Sequence, residues 1–215
     1  DLAARCYVLT YEIQLADPDL LAEVSQAHDV PFHPSPDTLR VIEDKFHQNQ
    51  MLSDANVPVA PFRRVESVAD LESAVDEFDG VMLKARRGGY DGRGNVPVPT
   101  PADAADALDQ LEGTVMAEAF VDFDRELSVI DDEIRTFPVG ENVHEEEILR
   151  ETVVPARTTD AVTDRAQRVA RDVLAELAGR GVYGIELFEV DGDILVNEIA
   201  PRPHNSGHWS IEGAV

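Results

Sequence analysis

Ile194-Leu195-Val196-Asn197-Glu198-Ile199-Ala200-Pro201-Arg202-Pro203-His204-Asn205-Ser206-Gly207-His208-Trp209 decides how the chain is read. An apolar strand runs into a carboxamide and a carboxylate, then into a loop holding two prolines, an arginine, two histidines, an asparagine and a serine. Prolines fix φ and stiffen the loop. A polar, stiffened loop mounted on a buried strand is a candidate site. Gly184–Val190 supplies the other arm of a hairpin, and Glu186 on it faces Glu198 along the sequence. A two-residue turn at Asp191-Gly192 would pair Glu186 with Asn197 and send Glu198 to the opposite face. A three-residue loop, Val190-Asp191-Gly192, with a left-handed Gly192 in a G1 bulge, puts both carboxylates on one face as diagonal neighbours. The bulge is therefore expected. Two hard oxygen ligands on rigid strands suit Mg²⁺, which keeps waters and takes phosphate oxygens. The alternative is a pair of edge carboxylates in solvent. The apolar Ile185, Leu187, Ile194 and Val196 argue for a buried hairpin instead.

Outward from the hairpin, the chain alternates helix and strand. Strands are expected at Arg5–Glu12, Phe62–Val65, Val81–Lys84, Val96–Val98, Thr114–Ala119, Glu126–Ile130, Ile134–Pro138 and Ile148–Pro155. A helix capped by Asp17-Pro18-Asp19 runs to about Ala27. After a proline-rich connector, Pro31–Pro36, one helix is expected from about Asp37 to Ala55. Ser67-Val68-Ala69-Asp70 resembles a capping box opening a helix to Phe78, and Thr100–Leu111 is a further helix. The longest helix runs from Thr159 to about Ala178, with Val162, Ala166, Val169, Val173, Leu174 and Leu177 on its apolar face and Gly179 and Gly181 stopping it.

With 215 residues, 43% of them hydrophobic, the chain can bury a sizeable core. It has no apolar run long enough to span a membrane. A single cysteine, Cys6, excludes an internal disulfide and points to the cytoplasm. The net charge of −25 reads as a solvated acidic shell of the kind that suits high salt. It speaks against a nucleic-acid partner, since phosphates need basic footprints.

Lys84 ends an apolar strand, and Arg86-Arg87-Gly88-Gly89-Tyr90-Asp91-Gly92-Arg93-Gly94 follows. Glycines let backbone N–H groups approach a ligand, and the cations suit phosphate. The stretch is either a flap over a polyphosphate or a hairpin tip with solvated arginines. It is not a Walker A loop, since no Gly-Lys-Ser/Thr follows; a strand lysine beside a glycine-rich cover is the other known layout. Backbone from Glu118 through Ala119, Phe120 and Val121 could read an adenine edge, and Glu126 could accept from ribose hydroxyls. On spacing alone a surface crossover with solvated acids is the better reading there. His144, single in a polar stretch, reads as structural on the same ground, and Met51, Met82 and Met116 as ordinary core.

Together the strand lysine, the glycine-rich stretch, the Glu118–Val121 crossover and the hairpin glutamates resemble the ATP-grasp superfamily. Within it, Thr10-Tyr11-Glu12, Gly88–Gly94, Glu126–Ile130, Phe137-Pro138 with Glu141-Asn142-Val143-His144, and Asn197–Trp209 resemble the N5-carboxyaminoimidazole ribonucleotide synthetase family of purine biosynthesis. The resemblance implies an α/β (α+β) ATP-grasp fold: residues 1–36 a remnant of an N-terminal nucleotide-like domain, then 37–215 with a small subdomain at about 57–120 and a central large one at about 121–215. It implies an ATP-dependent carbon–nitrogen ligase that makes carboxyphosphate from bicarbonate and carboxylates 5-aminoimidazole ribonucleotide.

In that reading Lys45, Lys84, Gly89, Tyr90, Asp91, Gly92, Arg93, Gly94 and Asn95 bind ATP phosphates, Glu118–Val121 the adenine, and Glu126 the ribose. His144 lies on the nucleotide side. Glu186 and Glu198 ligate Mg²⁺ beside Asn197. Glu12, Tyr90, Asp91, Arg93, Arg202, His204, Asn205 and Ser206 surround the aminoimidazole ribonucleotide and bicarbonate. Arg202, Tyr90, Asp91 and Arg93 take the catalytic roles. The resemblance also implies a homodimer. The family usually has Arg where Lys45 stands and Lys where Asn49 stands. It extends beyond both ends of this chain and is longer between Ile130 and Asp131, so the sequence reads as parts of a longer chain. A formate-dependent glycinamide ribonucleotide transformylase, or a nucleotide-binding fragment without catalysis, are the rival readings.

Overall fold

The computed structural model describes residues 2–13, 15–88, 94–131, 135–145 and 148–213. Three helices come first: α1 (Pro18–His28), α2 (Pro36–Ile42) and α3 (Lys45–Asp54). Asp17 caps α1 through hydrogen bonds from the Asp19 and Leu20 N–H groups, as expected. The single helix expected over 37–55 is instead two. Asp44 leaves helical geometry, and its side chain accepts from the N–H groups of Phe46 and His47, starting α3 afresh. Aspartate is a favoured N-cap and a poor interior helix residue. The strand expected at Arg5–Glu12 is also absent. That segment makes a 3₁₀ turn at Ala3–Arg5 and one isolated bridge, Leu9 to Phe32.

A four-stranded antiparallel sheet follows. It comprises β1 (Phe62–Val65), β2 (Val81–Ala85), β3 (Asn95–Val98) and β4 (Val115–Ala119) in the order β1-β4-β2-β3. The helices α4 (Val68–Phe78) and α5 (Ala104–Leu108) cover one face. Leu71, Ala74 and Val75 of α4 and Ala104 and Ala107 of α5 pack on Val81, Leu83, Val98, Val115 and Ala117. Ser67 caps α4 by accepting from Asp70 N–H, while Asp70 reaches back to Glu66 N–H. The helix expected over 100–111 is shorter, because a 3₁₀ turn at Pro101–Asp103 precedes α5.

The second sheet holds β5 (Arg125–Asp131), β6 (Gly140–Glu145), β7 (Ile148–Val153), β8 (Tyr183–Val190) and β9 (Asp193–Ala200), in the antiparallel order β7-β6-β5-β8-β9. The long helix α6 (Asp160–Glu176) lies across it. All six residues expected on its apolar face are buried, joining Leu127, Val129, Ile185, Leu187, Ile194 and Ile199 in the largest core. Its end differs in detail from expectation: the left-handed residue is Ala178, not Gly179. Gly179 instead donates its N–H to Leu174 O, where a Cβ would press on the Leu174 side chain at 3.0 Å.

Among the described residues of 134–138 there is only an isolated bridge, Asp131 to Thr136, where a strand was expected. The strand beside β5 is β6, at Gly140–Glu145, in the stretch read as merely polar. Alternation there is not apolar against polar. Asn142 faces Glu126 across the sheet, while Glu141 on the other face is held by Arg157. Among the described residues no helix is long and apolar enough to cross a membrane.

Candidate active site

The β8–β9 hairpin closes with a two-residue turn. Val190 pairs with Asp193, and Asp191 and Gly192 both have positive φ, 50° and 80°, the type I′ geometry that matches strand twist. The expected three-residue loop is therefore wrong, since left-handed Asp191 lets the tighter turn form. That turn alone would have thrown Glu198 off the Glu186 face. A bulge corrects it farther along. Glu186 pairs with Glu198 and Leu187 with Val196, which leaves Asn197 as the extra residue of β9. Glu186 and Glu198 thus stand directly opposite on one face, closer than the diagonal placement expected. Like charges in that position are destabilising. The bulge has an electrostatic consequence: it builds a carboxylate pair.

The pair sits among other titrating groups. Lys45, the first residue of α3, lies 3.6 Å from Glu198, and its charge holds that carboxyl below the ordinary range against the cost of burial. Burial, with Glu198 adding to it, pushes the Glu186 carboxyl up to about 7. His204 brings Nε2 to 3.7 Å from Glu186. Ser206 N–H points at His204 Nδ1 and the Ser206 hydroxyl lies 2.9 Å from it. Burial pushes His204 down to about 4, with Arg202 adding to the shift, so it is neutral near pH 7. Its ring rests on Gly184, where a Cβ would come within 2.4 Å of His204 Cβ; no other residue fits that position of β8. On the same sheet Glu126 bonds His144 Nδ1, and that hydrogen bond raises His144 above the ordinary imidazole range.

The small sheet contributes from the other side. Lys84 pairs with Glu118, and Glu118 also accepts from Asn49 Nδ2 at 3.2 Å. Glu118 is 6% exposed, so the solvated crossover favoured on spacing alone is a correction: its carboxylate is buried between two strands and a helix. The tie to Asn49 spans 69 residues of sequence, and local spacing carries no trace of it. Ala119, Phe120 and Val121 follow at the end of β4, with Phe120 exposed. Beyond them Phe123 stacks on Phe188 with centroids 4.6 Å apart, an aromatic pair that sequence reading missed.

The remaining candidates are scattered more widely. Gly94 is buried and its carbonyl accepts from Ala85 N–H at 2.7 Å. Asn95 opens β3 opposite Lys84. Arg202 donates to the Pro203 carbonyl at 2.9 Å, Asn205 is exposed and Ser206 buried. Glu12 is exposed on the N-terminal segment. Gly89, Tyr90, Asp91, Gly92 and Arg93 lie outside the described residues. Missed entirely was Asp44, whose carboxylate takes a bidentate bond from Arg86 at 3.0 and 2.7 Å. An aspartate just before Lys45 in a supposed helix interior was the available signal.

Among the described residues no group of three or more His, Cys, Asp or Glu side chains could hold a metal. The donor set is two opposed carboxylates, one with its pKa raised, in reach of a lysine. That suits a hard cation that draws its other oxygens from water and phosphate, and does not suit a closed structural site.

Comparison with known proteins gives the family. Residues 50–215 match the family model of the ATP-grasp domain. The chain is 40% identical over 224 residues to the phosphoribosylaminoimidazole carboxylase of Ogataea methanolica, covering all of this chain and 41% of that protein. It resembles the crystal structure of carboxyaminoimidazole ribonucleotide synthase from Aspergillus clavatus complexed with ATP, at a TM-score of 0.90 and 38% identity, over 98% of this chain and 57% of that one. A second structure of that organism's N5-carboxyaminoimidazole synthase, in complex with ADP and 5-aminoimidazole ribonucleotide, matches at a TM-score of 0.89 and 36% identity, over the same shares of the two chains. The chain thus spans about two fifths of the yeast relative's length. With the family model matching most of its length, the chain belongs to the ATP-grasp family.

Proposed function

We propose that the protein uses ATP to carboxylate 5-aminoimidazole ribonucleotide with bicarbonate, giving N5-carboxyaminoimidazole ribonucleotide, ADP and phosphate. The observation that carries this reading is the Asn197 bulge, which sets Glu186 opposite Glu198 with Lys45 beside them. The relative solved with ADP and 5-aminoimidazole ribonucleotide supports it.

Glu186 and Glu198 would hold Mg²⁺, which when bound neutralises phosphate charge. Lys45 and Lys84 would bind the phosphates, with Gly89–Asn95 beside them. Backbone from Glu118 to Val121 would hold adenine beside the Phe123–Phe188 stack, and Glu126, steadied by His144, the ribose. Arg202 would stabilise negative charge on the acyl phosphate, and Tyr90, Asp91 and Arg93 would take the other catalytic roles. Glu12, His204, Asn205 and Ser206 would complete the aminoimidazole ribonucleotide side, where excluding water matters because carboxyphosphate hydrolyses readily. The four-stranded sheet is proposed as the small subdomain and the five-stranded sheet as the central one, with residues 1–36 the remnant of a separate domain. A cytoplasmic homodimer completes the proposal.

Steady-state ADP release decides it. Release requiring both bicarbonate and 5-aminoimidazole ribonucleotide is expected. Release driven by formate and glycinamide ribonucleotide would overturn it in favour of the transformylase. ATP binding without turnover would leave a nucleotide-binding unit.

A further inference from the structure

We propose that the Asp44–Arg86 ion pair is a positioning device that sets Lys45 and Lys84 against the nucleotide phosphates; it rests on the ATP reading above. Asp44 is 2% exposed and Arg86 6%. Neither is called on by the proposed chemistry, yet they form the most deeply buried ion pair beside it.

The bonds of Arg86 tie the start of α3 to the end of β2 and to the chain entering β4. Its Nε and Nη2 reach both oxygens of Asp44. Its carbonyl accepts from Lys45 N–H at 2.9 Å, and its own N–H donates to Thr114 O at 2.9 Å. Its guanidinium lies 5.0 Å from the centre of the Phe46 ring, which packs edge-on against Phe62 of β1. Asp44 in turn caps α3. One ion pair thereby fixes the residue after which Lys45 begins its helix and the residue two beyond Lys84.

The circuit closes elsewhere. Lys84 meets Glu118, and Glu118 takes the Asn49 amide from α3, one turn beyond Lys45. Lys45 then spans to Glu198 on the large sheet. A buried ion pair is weak evidence for stability, since apolar replacements of similar volume are often neutral or better. An N-cap needs no guanidinium, and a lysine could neutralise Asp44. A planar fork that stacks on Phe46 while gripping both carboxylate oxygens fixes direction as well as charge. Direction is what two phosphate-binding lysines on different elements require.

The test uses the full chain with three variants. Asp44→Asn keeps the cap acceptor and the volume but removes the charge. Arg86→Lys keeps the charge and loses the fork. Arg86→Met removes both. ATP affinity by equilibrium dialysis, steady-state ADP release and melting temperature are measured for each. The expected result is an ATP Kd and KM raised about tenfold in each variant, with kcat at saturating ATP within about threefold and the KM for bicarbonate unchanged. Asp44→Asn also loses the Arg87 contact at 3.4 Å, so the double variant Asp44→Asn/Arg86→Met should be no worse than Asp44→Asn alone, since the Arg86 contact is already lost there. If the melting temperature falls while the ATP Kd and KM hold, the pair is structural and the proposal is overturned. If Arg86→Met does not fold, Asp44→Asn decides by the same readout. Wild-type protein that binds no ATP would instead sink the nucleotide reading itself, a distinct failure.

Discussion

Two buried acids near the small sheet each have a cation: Lys84 meets Glu118 of β4, and Arg86 meets Asp44 at the cap of α3. On the large sheet, Glu186 faces Glu198 across a bulge, and the neighbours on offer are a lysine at 3.6 Å and a histidine at 3.7 Å. One side is electrostatically closed and the other is in deficit. A closed pair fixes geometry; a deficit waits for a cation. In the proposed reading the contrast divides labour: the Lys84–Glu118 and Arg86–Asp44 pairs aim side chains, while the Glu186–Glu198 pair leaves charge for a ligand to satisfy.

Breaking the deficit should give the largest effect. Glu198→Gln is expected to lower ADP release on the order of 10²–10³-fold, the loss typical when a group stabilising transition-state charge is removed. The melting temperature should change little, because the substitution relieves repulsion of Glu186 but loses the Lys45 pairing of Glu198. Near-normal ADP release in Glu198→Gln would refute the metal assignment.

Breaking a closed pair should do the reverse, costing stability first. Lys84→Met strands the buried Glu118 carboxylate, and removing one partner of a buried pair costs about 3–5 kcal/mol. Chemical denaturation measures it. Lys84→Met/Glu118→Leu should recover most of that loss while ATP binding stays impaired. A double variant no more stable than the single one would show that Lys84 and Glu118 are not a balanced unit.

The pH dependence sharpens the contrast further. Glu186 has its folded pKa raised to about 7 by burial and by Glu198, above that of an unfolded glutamate. The folded state then binds its proton more tightly than the unfolded state, so metal-free protein gains stability as pH falls through 7. His144 is raised by Glu126 and acts in the same direction, its contribution present at low pH and lost as pH rises through its folded pKa. His204, lowered to about 4, opposes them, staying neutral while the unfolded histidine takes a proton, an effect still small near pH 7.5 that grows as pH falls toward about 6.5. Between about pH 7.5 and 6.5 the melting temperature in chelator should therefore rise as pH falls. Mg²⁺ or Glu186→Gln should flatten that rise. A flat profile in chelator would mean that the deficit is not felt.

Much of this contrast was legible in the sequence, and the exceptions share a cause. α6 was readable because Val162 through Leu177 repeat on one face, and β8 and β9 because their apolar residues alternate around a turn. The carboxylate pair was readable too, although by the wrong device: a bulge was expected at Gly192 and lies at Asn197. Turn geometry fixes local register, but a bulge five residues away depends on partners that spacing does not encode. β6 was missed because Asn142 and His144 point to the site and Glu141 to Arg157, so no apolar face marked it as a strand. Glu118 was judged solvated because Asn49 and Lys84, which bury it, lie 69 and 34 residues away. The helix break at Asp44 and the tight Asp191-Gly192 turn were the misses that local chemistry could have caught, since an aspartate before Lys45 is a cap signal and Asp-Gly favours a two-residue hairpin turn.

Salt should give the smallest effect and separates both buried clusters from the shell around them. The chain carries 43 acidic against 18 basic residues. Exposed acids repel one another through water, and added ions screen that repulsion within about 10 Å at 0.1 M. The buried pairs are shielded from the same ions, so their contribution should barely change. The melting temperature should therefore rise from low to molar KCl, in wild type and in Lys84→Met alike, with the gap between the two preserved. A gap that closes with salt would mean the Lys84–Glu118 pair is exposed to solvent ions. A wild-type melting temperature that is flat or falls with KCl would mean the acidic shell is no source of strain, and with it would go the reading of this composition as one suited to high salt.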